Sequence, residues 1–173
     1  HSFPTRRSSD LVVFGAASLK PVTANAAEAS VSASIEEENS YISFQDEAYQ
    51  NEFLRRVNNE RAKAGPKPVQ LGDSNHNSAA QERAEEIATV NSHVRPNGTK
   101  WYTVLSEYGV TDAAAGENAA WGSVSPEEVV NAWMNSEGHR ANILDPEARA
   151  MGVGYYYNSS STWGHQWIQL FTK

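Results

Sequence analysis

Residues 129–144 have the sequence VVNAWMNSEGHRANIL, in which a glycine divides one helical pattern into two parts. Val129, Ala132 and Trp133 recur at helical spacing and predict the buried face of a first helix. That helix is expected to end near Ser136, because Gly138 interrupts the pattern. A further helical turn should follow over 139–144, so the stretch predicts two short helices with His139 at the bend between them.

The residues just before this stretch are those of a helix start. Ser125 is a favourable N-cap residue, Pro126 suits the first helical position, and Glu128 completes a capping box. The pattern therefore predicts that the first helix begins at Pro126.

Strands are expected on the C-terminal side and helices on the N-terminal side. Alternation over 151–157 and 163–171 predicts an antiparallel hairpin with a loop at 158–162. Helical spacing predicts a helix over 44–64, stopped by Gly65-Pro66, and a second helix over about 74–90. Between them and residue 129, the segment HVRPNG is expected to form a turn and 100–108 a short helix. Helices first and strands last favour an α+β fold with helices packed on a sheet.

The first 42 residues differ in character from the rest and divide into three segments. Residues 1–11 resemble a translated sequencing adapter and are predicted to be non-native. Residues 12–27 resemble the end of a secretory signal peptide, with a short apolar run and a small-residue cleavage site. Residues 28–42 are interpreted as a flexible linker, and 43–173 as the folded domain. The apolar run is too short for a transmembrane anchor, so we expect a protein that is secreted, extracellular or held in the cell envelope.

The overall composition excludes several classes of function. The 173-residue chain has a net charge of −7 and no dense cluster of Lys and Arg in the predicted domain, which disfavours a nucleic-acid partner. It has no cysteine, which excludes thiolate nucleophiles, cysteine-bound zinc and disulfides. The motifs HExxH and GxSxG and the P-loop are absent, so zinc-protease, serine-hydrolase and nucleotide-binding functions lack support. A single small domain of this kind is expected to be a monomer.

Five motifs in order give the chain a family resemblance. They are NNERAKAG at 58–65, HVRPNG at 93–98, GENAAWG at 116–122, VVNAWMNSEGHRANIL at 129–144 and MGVGYYY at 151–157. Together they resemble the bacterial branch of the CAP superfamily, the SCP-like extracellular domain shared with cysteine-rich secretory, antigen 5 and pathogenesis-related proteins. The resemblance implies a three-layer α-β-α sandwich.

The same resemblance implies a cleft built from histidine and glutamate residues. Matching the motifs places His93, Glu117 and His139 in that cleft, where some relatives hold a divalent metal, usually zinc, through the two histidines. At the fourth position, where animal members have a glutamate, this chain has Ser136, with Glu137 beside it. The resemblance therefore makes His93 and His139 the candidate metal ligands, and Ser136 and Glu137 further candidates for the cleft.

Two chemical interpretations of this cleft stay open from the sequence. In one, zinc is held with an open coordination position and Glu117 acts as the catalytic general base on bound water. In the other, Glu117 accepts hydrogen bonds from a histidine or the backbone and only fixes the loops. Ser136 is also a candidate nucleophile beside His139, although a serine at such a bend more often caps a helix. Of the other histidines, His76 is predicted to face solvent and His165 to pack on its strand.

The supply of aromatic residues points to binding. More aromatic side chains are present than a small core can hide, so some are expected to line a groove for a lipid, glycan or peptide: Trp101, Tyr102, Trp121, Tyr155, Tyr156, Tyr157, Trp163 and Trp167. The sequence favours an extracellular binding module for a small apolar ligand or an envelope component over a classical enzyme. A zinc-dependent hydrolase using His93, His139 and Glu117, and a structural envelope protein without catalysis, are the alternatives.

Overall fold

The computed structural model describes the backbone of residues 12–13 and the whole of residues 47–173. The adapter-like segment 1–11, the linker 28–42 and all but two residues of the predicted signal peptide lie outside these residues. The elements are, in chain order, β1 (Val12–Val13), α1 (47–64), β2 (Gln70–Leu71), α2 (Ser74–Glu86), α3 (Thr103–Glu107), β3 (Ala114–Trp121), α4 (Pro126–Met134), α5 (Glu137–Ile143), β4 (Ala150–Asn158) and β5 (Gly164–Thr172). None of the helices in the described residues is long and apolar enough to span a membrane.

The strands form one mixed sheet in the order β1-β3-β5-β4-β2. Its centre is antiparallel: β5 pairs with β3 on one side and with β4 on the other, and the predicted C-terminal hairpin is confirmed. The short strands β1 and β2 extend β3 and β4 in parallel, each over two residues. Beyond those short pairings, β3 and β4 are the two edges of the sheet.

Helices cover both faces of the sheet, which makes three layers. One buried cluster lies between the sheet and α1, α4 and α5 and includes Phe53, Val57, Trp133, Ile143, Trp167 and Phe171. The other lies between the sheet and α2 and α3 and includes Ala80, Ala84, Val104, Leu105, Trp121, Ile168 and Leu170. Because successive strand residues point to opposite faces, Trp167 and Ile168 serve different clusters. The predicted α+β sandwich is thereby confirmed.

Helix α2 lies against β4 with almost no side chain between the two backbones. A Cβ atom on Gly152 would lie 2.5 Å from the carbonyl oxygen of His76, and one on Gly154 would overlap the carbonyl of Ala80. The narrow alanine stripe of α2 and the glycines of β4 therefore permit this close approach. This contact sets the position of α2 relative to the edge of the sheet.

The predicted start of α4 is confirmed, but the predicted break at Gly138 is wrong: α4 ends at Met134 and Gly138 lies inside α5, because the extended backbone of Ser136 separates the two helices. Ser125 Oγ accepts from the backbone N–H of Glu128, and the Glu128 carboxylate accepts from the N–H of Val124, so the capping box closes one residue earlier than the standard form. Helix α1 ends at Gly65, which has a φ of +104°. Helix α2, however, ends at Glu86 rather than near residue 90, and the carbonyl oxygen of Ile87 just beyond it accepts from Nε1 of Trp121. Helix α3 covers Thr103–Glu107 rather than 100–108.

A buried arginine connects α1 to the segment after α5. The Arg61 side chain is fully buried and donates to the carbonyl oxygens of Lys67, Ile143 and Asp145 at 2.6–2.8 Å. Burial lowers the pKa of Arg61, and the nearby Asp145 opposes this shift. One side chain thus satisfies carbonyls that no regular element would pair.

We expect Arg61→Met to lower the free energy of unfolding by about 3 kcal/mol, because three buried carbonyls lose their charged donor. Arg55→Met on the same helix is the matched control. Arg55 is exposed and pairs with Glu52, so its loss should change stability by less than about 0.5 kcal/mol. Urea denaturation of both variants measures the difference, and equal stabilities would show that Arg61 does not hold these segments together.

Candidate functional site

Glu117 lies on β3 with its carboxylate buried and fully engaged. Its side chain is 1% exposed. Oε2 accepts from Nε of Arg83 at 2.8 Å, and Oε1 lies 3.1 Å from Nη2 of Arg83 and 2.7 Å from Nδ1 of His93. Because Glu117 sits on the edge strand and Arg83 on α2, this two-pronged pair ties the sheet to the helix layer.

The pair continues into a chain of alternating charges. Arg83 also contacts Glu86, and Glu86 in turn accepts from Arg95. Arg95 is 2% exposed in its side chain and reaches Glu82 at 2.6 Å and Glu107 at 2.7 Å. These bonds join α2, the HVRPNG turn and α3 in one network. Each arginine charge is therefore buried beside two or more carboxylates.

Burial and the carboxylates act in opposite directions on the two arginines. Burial by itself lowers the pKa of Arg83, but its bonds to Glu117 and Glu86 outweigh that effect and the pKa is raised. The pKa of Arg95 is raised in the same way by Glu107 and Glu86. In return, the hydrogen bond from Arg95 lowers the pKa of Glu107. Both guanidinium groups therefore stay charged.

His139 lies in α5, and its backbone carbonyl contacts Asn118, the neighbour of Glu117 in β3. It is 3% exposed, and its Nδ1 is 2.7 Å from Oγ of Ser136, the residue before α5. The Asn118 amide donates to the carbonyl oxygen of His139 at 3.2 Å. Asn118 and Glu117 are neighbours in β3, so their side chains point to opposite faces of the sheet. The structure thus puts His93 in direct contact with Glu117, while His139 reaches β3 from the α5 side.

The remaining residue of the GEN motif has a steric role. The Asn142 amide donates to the Glu117 carbonyl at 3.1 Å, which satisfies one backbone carbonyl of β3, and to Oδ1 of Asn118 at 2.9 Å. A Cβ atom on Gly116 would lie 2.7 Å from Cγ of Asn142. Glycine is therefore needed for Asn142 to lie across the strand.

Of the two candidates for the fourth cleft position, Ser136 is the one that contacts a cleft histidine. Its hydroxyl fixes the ring of His139 through Nδ1. Glu137 is exposed in the first turn of α5, where a negative charge favours the helix N-terminus. The group beside His139 is therefore the neutral hydroxyl of Ser136 and not the carboxylate of Glu137.

The donor set fits a metal only in part. Among residues 12–13 and 47–173, no three His, Asp, Glu or Cys side chains are placed as a group to hold a metal. Glu117 does not fit as a ligand, because Arg83 and His93 occupy its oxygens and the guanidinium would repel a cation. The two histidines fit better: Nδ1 of His93 faces Glu117 and Nδ1 of His139 faces Ser136, the contacts that orient metal-binding histidines through their second nitrogen.

The prediction for His76 was wrong. This residue is 6% exposed, with Nδ1 at 2.8 Å from Asp73 and Nε2 at 3.3 Å from Oγ1 of Thr172. It is buried because the first turn of α2 packs against the end of β5. His165 packs on its strand as predicted, with Nδ1 at 2.8 Å from the hydroxyl of Tyr155.

Sequence reasoning missed the most important partner in the site, Arg83. Its signal was present: Arg83 lies within the helical stripe of Ala79, Ala80, Ala84 and Ile87, where a charged residue has to be buried. An arginine in an apolar stripe predicts a buried carboxylate opposite it. The GEN glutamate was the available candidate.

Comparison with known proteins agrees with this fold. The model of the family described as "CAP: Cysteine-rich secretory protein family" matches residues 54–171. The protein YkwD of Bacillus subtilis is 40% identical over 123 residues, which cover 70% of this chain and 47% of YkwD. The chain therefore spans about half the length of this relative.

Solved structures with the same fold come from three bacteria. An extracellular SCP-domain protein of Bacillus anthracis has a TM-score of 0.62 at 24% identity, covering 71% of this chain and 39% of that one. An outer surface protein of Borrelia burgdorferi has a TM-score of 0.61 at 19% identity, with coverages of 76% and 94%. A cysteine-rich secretory protein of Staphylococcus aureus has a TM-score of 0.51 at 18% identity, with coverages of 71% and 39%.

We expect Gly116→Ala to destabilise the protein by about 2 kcal/mol, because the new methyl group overlaps the Asn142 side chain. Asn142→Ala alone should cost about 1–2 kcal/mol through its lost hydrogen bonds. The double variant should be more stable than the sum of the two predicts, by about 1 kcal/mol, since the clash is then absent. A double-mutant cycle from urea denaturation measures this coupling, and strict additivity would contradict the steric role of Gly116.

Proposed function

Because the chain belongs to the cysteine-rich secretory protein (CAP) family, we propose that it is an extracellular binding module for a component of the bacterial cell envelope. An extracellular location is supported by the descriptions of two proteins of the same fold, one extracellular and one on an outer surface. The signal-peptide pattern at 12–27 supports it independently.

The hydrogen bonds and burial of the Glu117 carboxylate favour a binding function over hydrolysis. A general base needs an oxygen that can reach and accept the proton of a bound water. Both oxygens of Glu117 accept from Arg83 and His93, and its side chain is 1% exposed. Glu117 is thus suited to holding the fold around His93 and not to exchanging protons with a substrate.

The grooves on the described surface favour an envelope component over a small apolar ligand. One groove, between α1 and α4, is lined mainly by charged and amide side chains such as Arg56, Glu60 and Lys63. A second, between α1 and α2, is lined half by aromatic and apolar side chains and half by uncharged polar ones. A purely apolar molecule would displace water from those polar groups without replacing its hydrogen bonds.

A zinc-dependent function is the second candidate, and one observation favours it. The carboxylate of Glu117 against Nδ1 of His93 is an arrangement that orients histidine ligands of metals. His93 and His139 would hold zinc, which as a Lewis acid supplies activation of water. In that case Glu117 and Ser136 would orient the two rings. A hydrolase would still need a base other than Glu117. A structural envelope protein is the third candidate, for which substitutions at these residues would change stability alone.

The binding function predicts that the full chain co-sediments saturably with isolated cell-wall sacculi of a Gram-positive bacterium. Retention should be unchanged by EDTA, because no metal-dependent step is involved, and the sacculi should release no soluble fragments. Absence of retention would contradict the proposal. So would release of fragments that stops in His139→Ala while the unfolding midpoint is unchanged.

Zinc titration by calorimetry separates the second candidate from the first. We expect no saturable binding of a single zinc ion by the wild type. Its titration should therefore match that of the His93→Ala, His139→Ala double variant. His165→Ala is the matched control, because this histidine lies on β5 and contacts Tyr155 instead of β3. One-site binding that the double variant loses and the control keeps would establish a metal site and justify assays of hydrolysis.

A further inference from the structure

The opposite edge of the sheet from Glu117 carries a second candidate site. Resting on the binding function above, we propose that the groove between α1 and α2, beside β4, binds an uncharged carbohydrate chain. The groove has a volume of about 200 Å³ and is open to solvent. The groove is lined by aromatic and amide side chains, among them Tyr49, Gln50, Asn77, Gln81, Tyr155 and Trp167.

One wall of the groove is a run of aromatic rings. The Tyr155 ring centre lies 4.2 Å from that of Trp167 and 6.0 Å from that of Tyr49. The run continues past the groove towards the tip of the hairpin, where the Tyr157 and His165 rings are 4.9 Å apart and Tyr157 is 39% exposed. Trp167 is fully buried behind the tyrosines and stabilises their orientation. Tyrosine rings offer an apolar face with a polar tip, which suits the C–H faces and hydroxyls of sugar rings.

The other wall is built from amides held in place by the strand. The Asn77 Oδ1 accepts from the backbone N–H of Val153 at 3.2 Å, and the Gln81 Oε1 accepts from that of Tyr155 at 3.1 Å. Gln50 on α1 lies opposite, with Oε1 at 3.5 Å from Nδ2 of Asn77. Because an amide both donates and accepts, a row of oriented amides matches sugar hydroxyls, which do the same.

The same hydrogen bonds argue against an extended peptide as the ligand. A peptide that adds to a sheet edge needs the outward N–H groups of the edge strand. At Val153 and Tyr155 these groups are already bonded to Asn77 and Gln81. Recognition at this edge therefore has to proceed through side chains.

Charge and polarity exclude other ligand classes. None of the side chains that line the groove is charged, and the chain has a net charge of −7, so a polyanion gains nothing there. An acyl chain would displace water from the amides of Gln50, Asn77 and Gln81 and could not replace the hydrogen bonds that water makes to them. An uncharged sugar chain is the ligand class that uses both walls.

The test uses the full chain and a defined probe, the hexamer of N-acetylglucosamine, measured by calorimetry and by NMR. We expect saturable binding with shift changes at Tyr49, Tyr155 and the amides of Asn77 and Gln81. Gln50→Leu should weaken binding about fivefold to tenfold, the effect of one or two lost hydrogen bonds. Asn59→Leu, an exposed position on the same helix, is the matched control and should bind as the wild type does.

A second variant separates the loss of ligand contacts from the loss of folding. Tyr49→Leu should weaken binding at least as much as Gln50→Leu, and both should keep the wild-type pattern of NMR shifts outside the groove. Retention on sacculi without hexamer binding would overturn this inference and leave the envelope-binding function standing. Hexamer binding that Gln50→Leu and Tyr49→Leu leave unchanged would also overturn it. Failure of the wild type on both the sacculi and the hexamer would remove the proposed function as well.

Discussion

The buried pair of Arg83 and Glu117 is the interaction on which the arrangement of this domain depends. It joins the helix layer to an edge strand of the sheet, and both side chains are almost completely excluded from solvent. Removing one member of a buried ion pair leaves its partner short of a charge at a cost of several kcal/mol, so the two residues depend strongly on each other. His93 and Glu86 complete the set, and Arg95 extends it to α3. The loop that carries His93 is thereby held to the sheet by charge rather than by apolar packing.

This use of Glu117 has a consequence for function. A carboxylate that is 1% exposed and has both oxygens bonded to a buried guanidinium is not placed to reach a bound water. The three residues of the GEN motif all have structural explanations: Gly116 makes room for Asn142, Glu117 pairs with Arg83, and Asn118 bonds the backbone of His139. Binding elsewhere on the surface is consistent with a motif used in this way.

The two edges of the sheet are closed in the same manner, by amide side chains. At β3, Asn142 donates to the carbonyl of Glu117. At β4, Asn77 and Gln81 accept from two outward N–H groups. An open edge invites pairing with another chain, and an edge satisfied by side chains does not. The β4 edge differs in one respect, since its amides also line an open groove beside aromatic rings, and this difference makes it the candidate ligand site.

Strand β3 could not be predicted from its local sequence. Its residues are mostly alanine, glycine and polar residues, with little strand propensity, and pairing with β5 makes it a strand. The shorter end of α2 and the burial of His76 were missed for the same reason, since packing against distant segments decides both.

The amino-acid sequence by itself determined the start of α4, the terminal hairpin and the family, because these depend on local backbone preferences and on the order of short motifs. It also proposed His93, Glu117 and His139 as a site, and of these the structure shows contact between His93 and Glu117. Only the tertiary structure decided that Glu117 pairs with Arg83, 34 residues earlier, and that the backbone carbonyl of His139 accepts from Asn118 of β3. Such pairings depend on which side chains the folded layers bring together. Residue types and their spacing along the chain do not give the distance between two side chains in the folded protein.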